Sequence, residues 1–312
     1  MKNKTTSTLT LKNWFDRSIR LLKNNSSIGA PELDCQIIAE YVLRIPRYKI
    51  FTQPDFLIPT KELYVLKKYI IFRYLNLPTA YIVQKKEFYG HDFIISPAVL
   101  IPRPESELMV ELAKYMVSKL KKRPILDSIN TLSEYDVSIL DRSLLSNYRD
   151  YDIDTKLRVA DIGCGSGNIG ISLSIESDDI TVDLIDISKK ALKITKLNVN
   201  KFATNNILIH GDLLNGNSNK YELILANLPY VPILSSVNPD VLHEPLNSVF
   251  SGIDGLFLYR RLFSTLSKRP DKPLYILIEK FPEIDQDLKQ LSSFYNLKQV
   301  FQSLFINVYS FK

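Results

Sequence analysis

The sequence predicts an α/β protein: a doubly wound, mostly parallel sheet ending in a C-terminal antiparallel hairpin, preceded by a small N-terminal helical bundle and a β-hairpin connector. Three observations lead there. Apolar residues recur at helical spacing from Leu11 to about Leu75; strand-like and helix-like runs alternate from Leu157 onward; and two strand-like runs near the C-terminus are separated by almost nothing. With 312 residues, 45% of them hydrophobic and 24% charged, the chain has the balance of a globular protein of about two domains. That composition excludes a disordered, collagen-like or disulfide-scaffold chain.

In the first segment, Leu11, Trp14, Phe15, Ile19, Leu21 and Leu22 mark one helical face, and Leu33, Ile37, Ile38, Tyr41 and Val42 a second. Breakers at Gly29-Ala30-Pro31, Pro46 and Pro54 divide the stretch into short helices, so residues 1–75 read as a bundle. Residues 79–96, within a connector expected over 76–104, change period. Ala80, Ile82 and Phe88, then Phe93-Ile94-Ile95 beyond a Tyr89-Gly90-His91-Asp92 turn, suggest two paired strands acting as a connector. Helical spacing returns from Glu105 to Leu120, opening a domain expected to span 105–312, with the polar, patternless residues 121–156 as a surface insertion.

The alternating part follows. Strands are expected at Arg158–Ile162, Thr181–Asp186, Asn206–His210, Glu222–Ala226 and Pro273–Glu279, with helices at about 168–176, 188–200, 254–267 and 282–292. Such alternation implies parallel strands covered by helices on both faces. Leu297–Gln302 and Leu304–Phe311 are too close for a parallel return, so they form a hairpin at a sheet edge.

Charge is unevenly spread. Residues 1–122 hold 20 Lys+Arg against 11 Asp+Glu, net +9, and residues 123–312 hold 20 against 23, net −3. A basic first half suits docking onto RNA or onto a protein that works on the ribosome, although scattered lysines also serve simply as solvated helix faces. The longest apolar runs, Tyr69–Phe72 and Leu274–Ile278, fall far short of a membrane span. Lys2, Lys4, Lys12, Arg17 and Arg20 precede no apolar signal core. Cys35 and Cys164 stand alone, and His91, His210 and His243 make no ligand spacing, so a reducing compartment and no metal are expected.

Chemistry-bearing residues gather at the expected strand ends. The first strand runs into Asp161-Ile162-Gly163-Cys164-Gly165-Ser166-Gly167-Asn168, where glycines let the backbone approach a ligand. A dinucleotide fingerprint would need glycine in place of Asn168, so the pattern is Asp-x-Gly-x-Gly-x-Gly. Asp186, 19 positions beyond Gly167, ends the second strand, where a carboxylate can accept from both hydroxyls of a ribose. Asp212-Leu213 ends the third strand, where an adenine would lie, and Asn227-Leu228-Pro229-Tyr230 ends the fourth. In a doubly wound sheet the order reverses between first and fourth strands, so both motifs face one crevice.

These residues resemble the S-adenosylmethionine-dependent methyltransferases that act on a planar amide or amino nitrogen. Pro78-Thr79-Ala80-Tyr81-Ile82, Glu87-Phe88-Tyr89-Gly90 and Leu100-Ile101-Pro102-Arg103-Pro104-Glu105-Ser106-Glu107 narrow the likeness to the peptide chain release factor glutamine methyltransferases. His243-Glu244-Pro245, Gly252-Ile253-Asp254-Gly255-Leu256 and Glu279 are also similar to that family. The resemblance runs from about residue 10 to the C-terminus, leaving out 121–156, and departs where the family's Asn-Pro-Pro-Tyr has Leu228.

The resemblance implies a class I methyltransferase fold with S-adenosyl-L-methionine as cofactor, held by Asp161, Gly163, Cys164, Gly165, Ser166, Gly167, Asp186, Asp212, Leu213 and Asn227. It implies as partners the class I peptide chain release factors, bound through residues 1–75, with the glutamine of their Gly-Gly-Gln loop as acceptor. The site is then Asn227, Leu228, Pro229 and Tyr230, with the Asn227 side-chain oxygen and the Leu228 carbonyl accepting the two amide N–H bonds. No membrane and no stable nucleic-acid partner are expected, and the compartment is a bacterial cytoplasm ahead of a mitochondrial matrix. The same flat site admits adenine in nucleic acid or a ribosomal-protein glutamine, and the basic half admits a non-enzymatic RNA- or ribosome-binding protein that kept the fold.

Overall fold

A computed structural model describes residues 9–122, 132–146 and 155–312. Its contacts divide the chain into two compact units, one of residues through Lys85 joined by Ser236–His243, the other of Lys86–Ser235 with Glu244–Lys312.

The first unit is the bundle: α1 (Leu11–Lys23), α2 (Pro31–Leu43), the single turn α3 (Lys49–Thr52), α4 (Thr60–Tyr74) and α5 (Thr79–Val83). Thr10 caps α1 by accepting the Asn13 N–H at 3.3 Å, and Pro31 opens α2, where a missing N–H costs nothing. Leu11, Trp14, Leu22, Ile38, Leu66 and Ile70 form the core, so Trp14 is a packing residue. Buried Arg73 binds Asp34 at 2.7 Å and Asp240 at 2.9 Å, and the Thr79 hydroxyl donates to Asp34 at 2.5 Å. Removing one side of such a buried ion pair typically costs about 3–5 kcal/mol, so the Arg73 cluster holds Ser236–His243 firmly in the bundle.

Ala80 and Ile82, expected in a strand, lie instead in α5. Tyr81, Ile82 and Val83 are all buried, and a short run with no exposed face carries no period by which to tell helix from strand. The hairpin is shorter than expected, β1 (Lys85–Phe88) and β2 (His91–Ile94), joined by Tyr89 and Gly90 at φ of 52° and 73°. Two positive φ angles in succession make the turn that matches strand twist.

In the second unit come α6 (Glu107–Leu120), α7 (Ser138–Ser146), β3 (Leu157–Ile162), α8 (Asn168–Glu176), β4 (Ile180–Asp186), α9 (Lys189–Phe202), β5 (Ile207–His210) and β6 (Leu223–Ala226). α10 (Phe257–Lys268), β7 (Tyr275–Glu279), α11 (Asp285–Phe294), β8 (Leu297–Gln302) and β9 (Ile306–Phe311) complete it. Among the described residues the large sheet has the order β5-β4-β3-β6-β7-β9-β8, with β3 to β7 parallel and β9 antiparallel to both neighbours. The doubly wound class and its terminal edge hairpin are therefore as expected. The chain steps outward from β3 to β5, then returns to lay β6 on the other side of β3, which opens a crevice at their C-terminal ends.

Alternate residues feed two cores. Leu157, Val159, Leu223, Leu225 and Leu277 face α6 to α9, while Ala160, Ile162, Ile224, Ile276 and Ile278 face α10 and α11. Residues 121–156 were expected to be patternless; of these, α7 buries Leu140 and Leu144 in the first core, and residues 123–131 and 147–154 lie outside the described ones. Among the described residues no helix is long and apolar enough to cross a membrane.

Candidate active site

A cavity of about 250 Å³ sits at the C-terminal ends of β3 and β6. One wall is the turn after β3, with Gly163, Gly165 and Gly167 at φ of 73°, 56° and 80°. Glycine at 163 also leaves room for Leu228, since a Cβ there would stand 3.0 Å from Leu228 Cδ2. The turn is closed by the Gly163 N–H donating to the Ile185 carbonyl at 2.8 Å and the Gly167 N–H to the Cys164 carbonyl at 2.7 Å.

Asp186 ends β4 with its carboxylate at the cavity. It accepts the Gly165 N–H at 2.9 Å and the Ser188 N–H at 2.7 Å, one on each oxygen. Burial raises its pKa while those two N–H groups pull it back. Each oxygen keeps a lone pair for a ligand hydroxyl. Asp212 lines the cavity paired with Arg261 at 2.5 Å, and Leu213 beside it is buried at a φ of 54°.

The opposite wall comes from residues that the sequence reading did not place in the site. Ala98, Val99 and Leu100 face the cavity, as do Pro245, Asn247 and Ser248. Buried Glu244 joins these two stretches, accepting the Ile101 N–H at 3.0 Å and an Arg103 Nη2–H at 2.5 Å. Arg103 thus braces a cavity wall. The hairpin is fixed nearby, since the Asn198 side chain accepts the Ile94 N–H at 2.8 Å and donates to the Ile94 and Ser166 carbonyls, each at 2.9 Å.

Asn227, Leu228 and Pro229 line the same cavity at the end of β6. Asn227 Nδ2 donates to Ser106 Oγ at 3.0 Å, which leaves its Oδ1 as the outward acceptor. The Leu228 side chain turns inward and is buried, leaving the backbone carbonyl, 3.3 Å from the Tyr259 hydroxyl. Tyr230 lies just outside the lining, its ring edge-on to Phe281 at 4.9 Å and its hydroxyl donating to Glu279 Oε1 at 3.0 Å. Burial first, and then Glu279, push the phenol pKa far above its ordinary value, so it stays protonated.

Glu279, at the end of β7, is almost fully buried and also accepts the Ser106 hydroxyl on Oε2 at 2.5 Å. Burial pushes its pKa up to about 7. Ser106, in the stretch Leu100–Glu107, and Glu279, ending the apolar run Tyr275–Ile278, were both among the residues that resemble the family, but no role in the site was legible for either.

Four of the expected cofactor residues do not line the cavity. Asp161 is buried beneath the turn, accepting the Gly170 N–H at 2.9 Å, and burial pushes its pKa to about 7. Cys164 is buried with its thiol pKa raised well above the usual range by burial, so it is no nucleophile. Ser166 donates to Asn168 at 2.9 Å, and Gly167 caps α8. They shape the turn. Among the described residues no cluster of His, Cys, Asp and Glu could hold a metal.

The methyltransferase small domain family matches residues 133–247. Release factor glutamine methyltransferases are similar over most of the chain. That of Coxiella burnetii is 30% identical over 228 residues, 72% of this chain and 70% of its own length. That of Bacillus subtilis is 29% identical over 257 residues, 80% of this chain and 79% of its own, and that of Dictyoglomus turgidum 29% over 303 residues, 94% and 90%.

Proposed function

The chain belongs to the release factor glutamine methyltransferase family, and on that premise we propose that it methylates the side-chain amide nitrogen of the glutamine in the Gly-Gly-Gln loop of class I release factors. One observation carries the reading: Asn227 and Leu228 line the same cavity as Asp186, Gly163 and Gly165.

The cavity fits S-adenosylmethionine. Asp186 offers lone pairs to ribose hydroxyls, glycine turns admit close backbone approach, and Asp212 and Leu213 stand at the far edge for the base. When bound, the cofactor supplies an electrophilic methyl group on a sulfonium centre. An amide nitrogen is a poor nucleophile, its lone pair delocalised into the carbonyl. Asn227 Oδ1 and the Leu228 carbonyl accept its two N–H bonds, which orients the nitrogen and stabilises the positive charge it develops. Tyr230 and Pro229 flank the amide plane. No strong base is needed before transfer, and the excess proton leaves afterwards.

Docking falls to the bundle in this reading. Its surface carries exposed Arg44, Lys61 and Lys67, and a groove of about 570 Å³ lined by Tyr41, Arg44, Phe56, Lys61 and Tyr69. The setting is a bacterial cytoplasm, in keeping with the bacterial relatives. Labelled donor offered with release factor, DNA and ribosomes tests the function. Label is expected on the release-factor glutamine; label on DNA or ribosomal protein alone would overturn the assignment.

A further inference from the structure

The proposed acceptor site needs a carbonyl, not an NH₂ group, pointing at the substrate amide, and an asparagine side chain can present either. What fixes the choice lies behind Asn227. Its Nδ2 donates to Ser106 Oγ at 3.0 Å, and the Ser106 hydroxyl donates to Glu279 Oε2 at 2.5 Å. A serine hydroxyl has one proton. Because a buried carboxylate takes that proton, Ser106 can only accept from Asn227. The other Glu279 oxygen accepts the Tyr230 hydroxyl at 3.0 Å.

We propose that Glu279 is a positioning residue of the transfer reaction, acting through Ser106 and on the Asn227 amide itself to hold Asn227 with Oδ1 toward the acceptor amide, and acting directly to hold Tyr230. The inference rests on the function proposed above and adds to it the residue that sets the polarity of the acceptor site. Ser106 and Glu279 are 173 residues apart and both buried, and neither lines the cavity. Their side chains are turned toward Asn227 and Tyr230. With glutamine in place of Glu279, an NH₂ group can face Ser106, whose own proton then swings toward Asn227 Oδ1. The asparagine amide can now rotate, presenting N–H to N–H across the acceptor.

Protonation of Glu279 has the same effect. Its pKa is pushed to about 7 by burial and by Glu105 nearby, against the Ser106, Tyr230 and Asn227 hydrogen bonds. Arg103 acts on the neighbouring Tyr230, whose pKa it lowers against the rise caused by burial and Glu279. Only the ionised carboxylate accepts from Ser106 and Tyr230 at once, so turnover should fall as pH falls through about 7.

The test compares the full-length wild type with Glu279→Gln, Ser106→Ala and the double variant, on intact release factor. Each single variant should lose about 100-fold in kcat, while the donor dissociation constant, measured by calorimetry, changes less than about threefold. The double variant should be no worse than Glu279→Gln alone, because Ser106 acts only by way of that carboxylate. The acidic limb of the wild-type profile should vanish in Glu279→Gln. If that variant does not fold, Ser106→Ala carries the test alone. Wild-type turnover in either folded single variant, losses that multiply in the double variant, or loss of donor affinity in step with kcat would each overturn the relay. A wild-type protein inert on release factor would instead sink the proposed function, a result distinct from an active wild type with equally active variants.

Discussion

Asp186 and Asp161 show how two carboxylates that hold one turn from neighbouring strands differ in what they do. Asp186 faces the cavity, and Asp186→Ala should remove two charge-assisted contacts to the donor ribose, each worth about 1.5–3 kcal/mol. Donor affinity measured by calorimetry should fall at least tenfold with circular dichroism unchanged; unaltered binding would take Asp186 out of the site. Asp161 is buried under the turn, and its effect is on stability. Its folded pKa, about 7, is above that of an unfolded aspartate, so the native state binds the extra proton. The stability it contributes is full below about pH 4 and is lost as pH rises toward 7. Asp161→Asn should therefore be more stable than wild type at pH 8, by on the order of a few kcal/mol, with the advantage shrinking toward pH 4 in denaturant titrations. The opposite slope would mean that Asp161 is ionised in the native protein. Leu228 shows where reading from sequence stops. Its place beside Asn227 was legible, but not that its side chain fills the space above Gly163. Leu228→Pro keeps the carbonyl and loses that packing, so it should cost about 1–3 kcal/mol of stability with most turnover retained.

At the scale of elements, the glycine turn, the end of β4 and the end of β6 were legible because each motif is local, a strand running into a loop of distinctive residues. Ser106, Glu244 and Glu279 were not placed in the site because they reach it through contacts between residues far apart in the chain, 121 for Asn227 with Ser106 and 141 for Arg103 with Glu244. The turn Gly252–Leu256 resembles the family in sequence, but the reason for its glycines shows only in three dimensions. In the fold, a Cβ on Gly255 would stand 2.2 Å from the Tyr230 carbonyl oxygen, at a φ of 77° that disfavours any side chain. That contact is backbone against backbone and cannot yield cheaply. Gly255→Ala should therefore displace the Tyr230 backbone, lowering kcat on release factor by about tenfold or more while donor affinity holds, since small misplacements of reacting groups are costly. Equal turnover in the alanine variant would show that the loop after β6 tolerates movement.

Over the whole molecule, the charge asymmetry was visible in the sequence, but the composition of the bundle unit was not, because Ser236–His243 joins it from far beyond Lys85. That segment changes how docking should be tested. Deleting the bundle would strip Asp240 of Arg73, Asn238 of the Ser27 carbonyl and His243 of the Leu75 carbonyl, so lost activity would say nothing about docking. Charge reversal avoids this. Arg44, Lys61 and Lys67 are exposed, and none takes part in the Arg73 cluster. A single glutamine offers too little surface to select one protein, so selection has to come from contacts outside the pocket. Replacing the three by glutamate should lower kcat/KM on intact release factor by about tenfold at low salt, and the deficit should narrow as salt rises, because exposed charges are screened beyond about 8 Å at physiological ionic strength. A short peptide carrying the Gly-Gly-Gln loop, too small to reach a docking surface, should be methylated equally by wild type and variant. Equal rates on the intact protein as well would remove these charges from recognition, whereas a matching loss on the peptide would trace the effect to the active site.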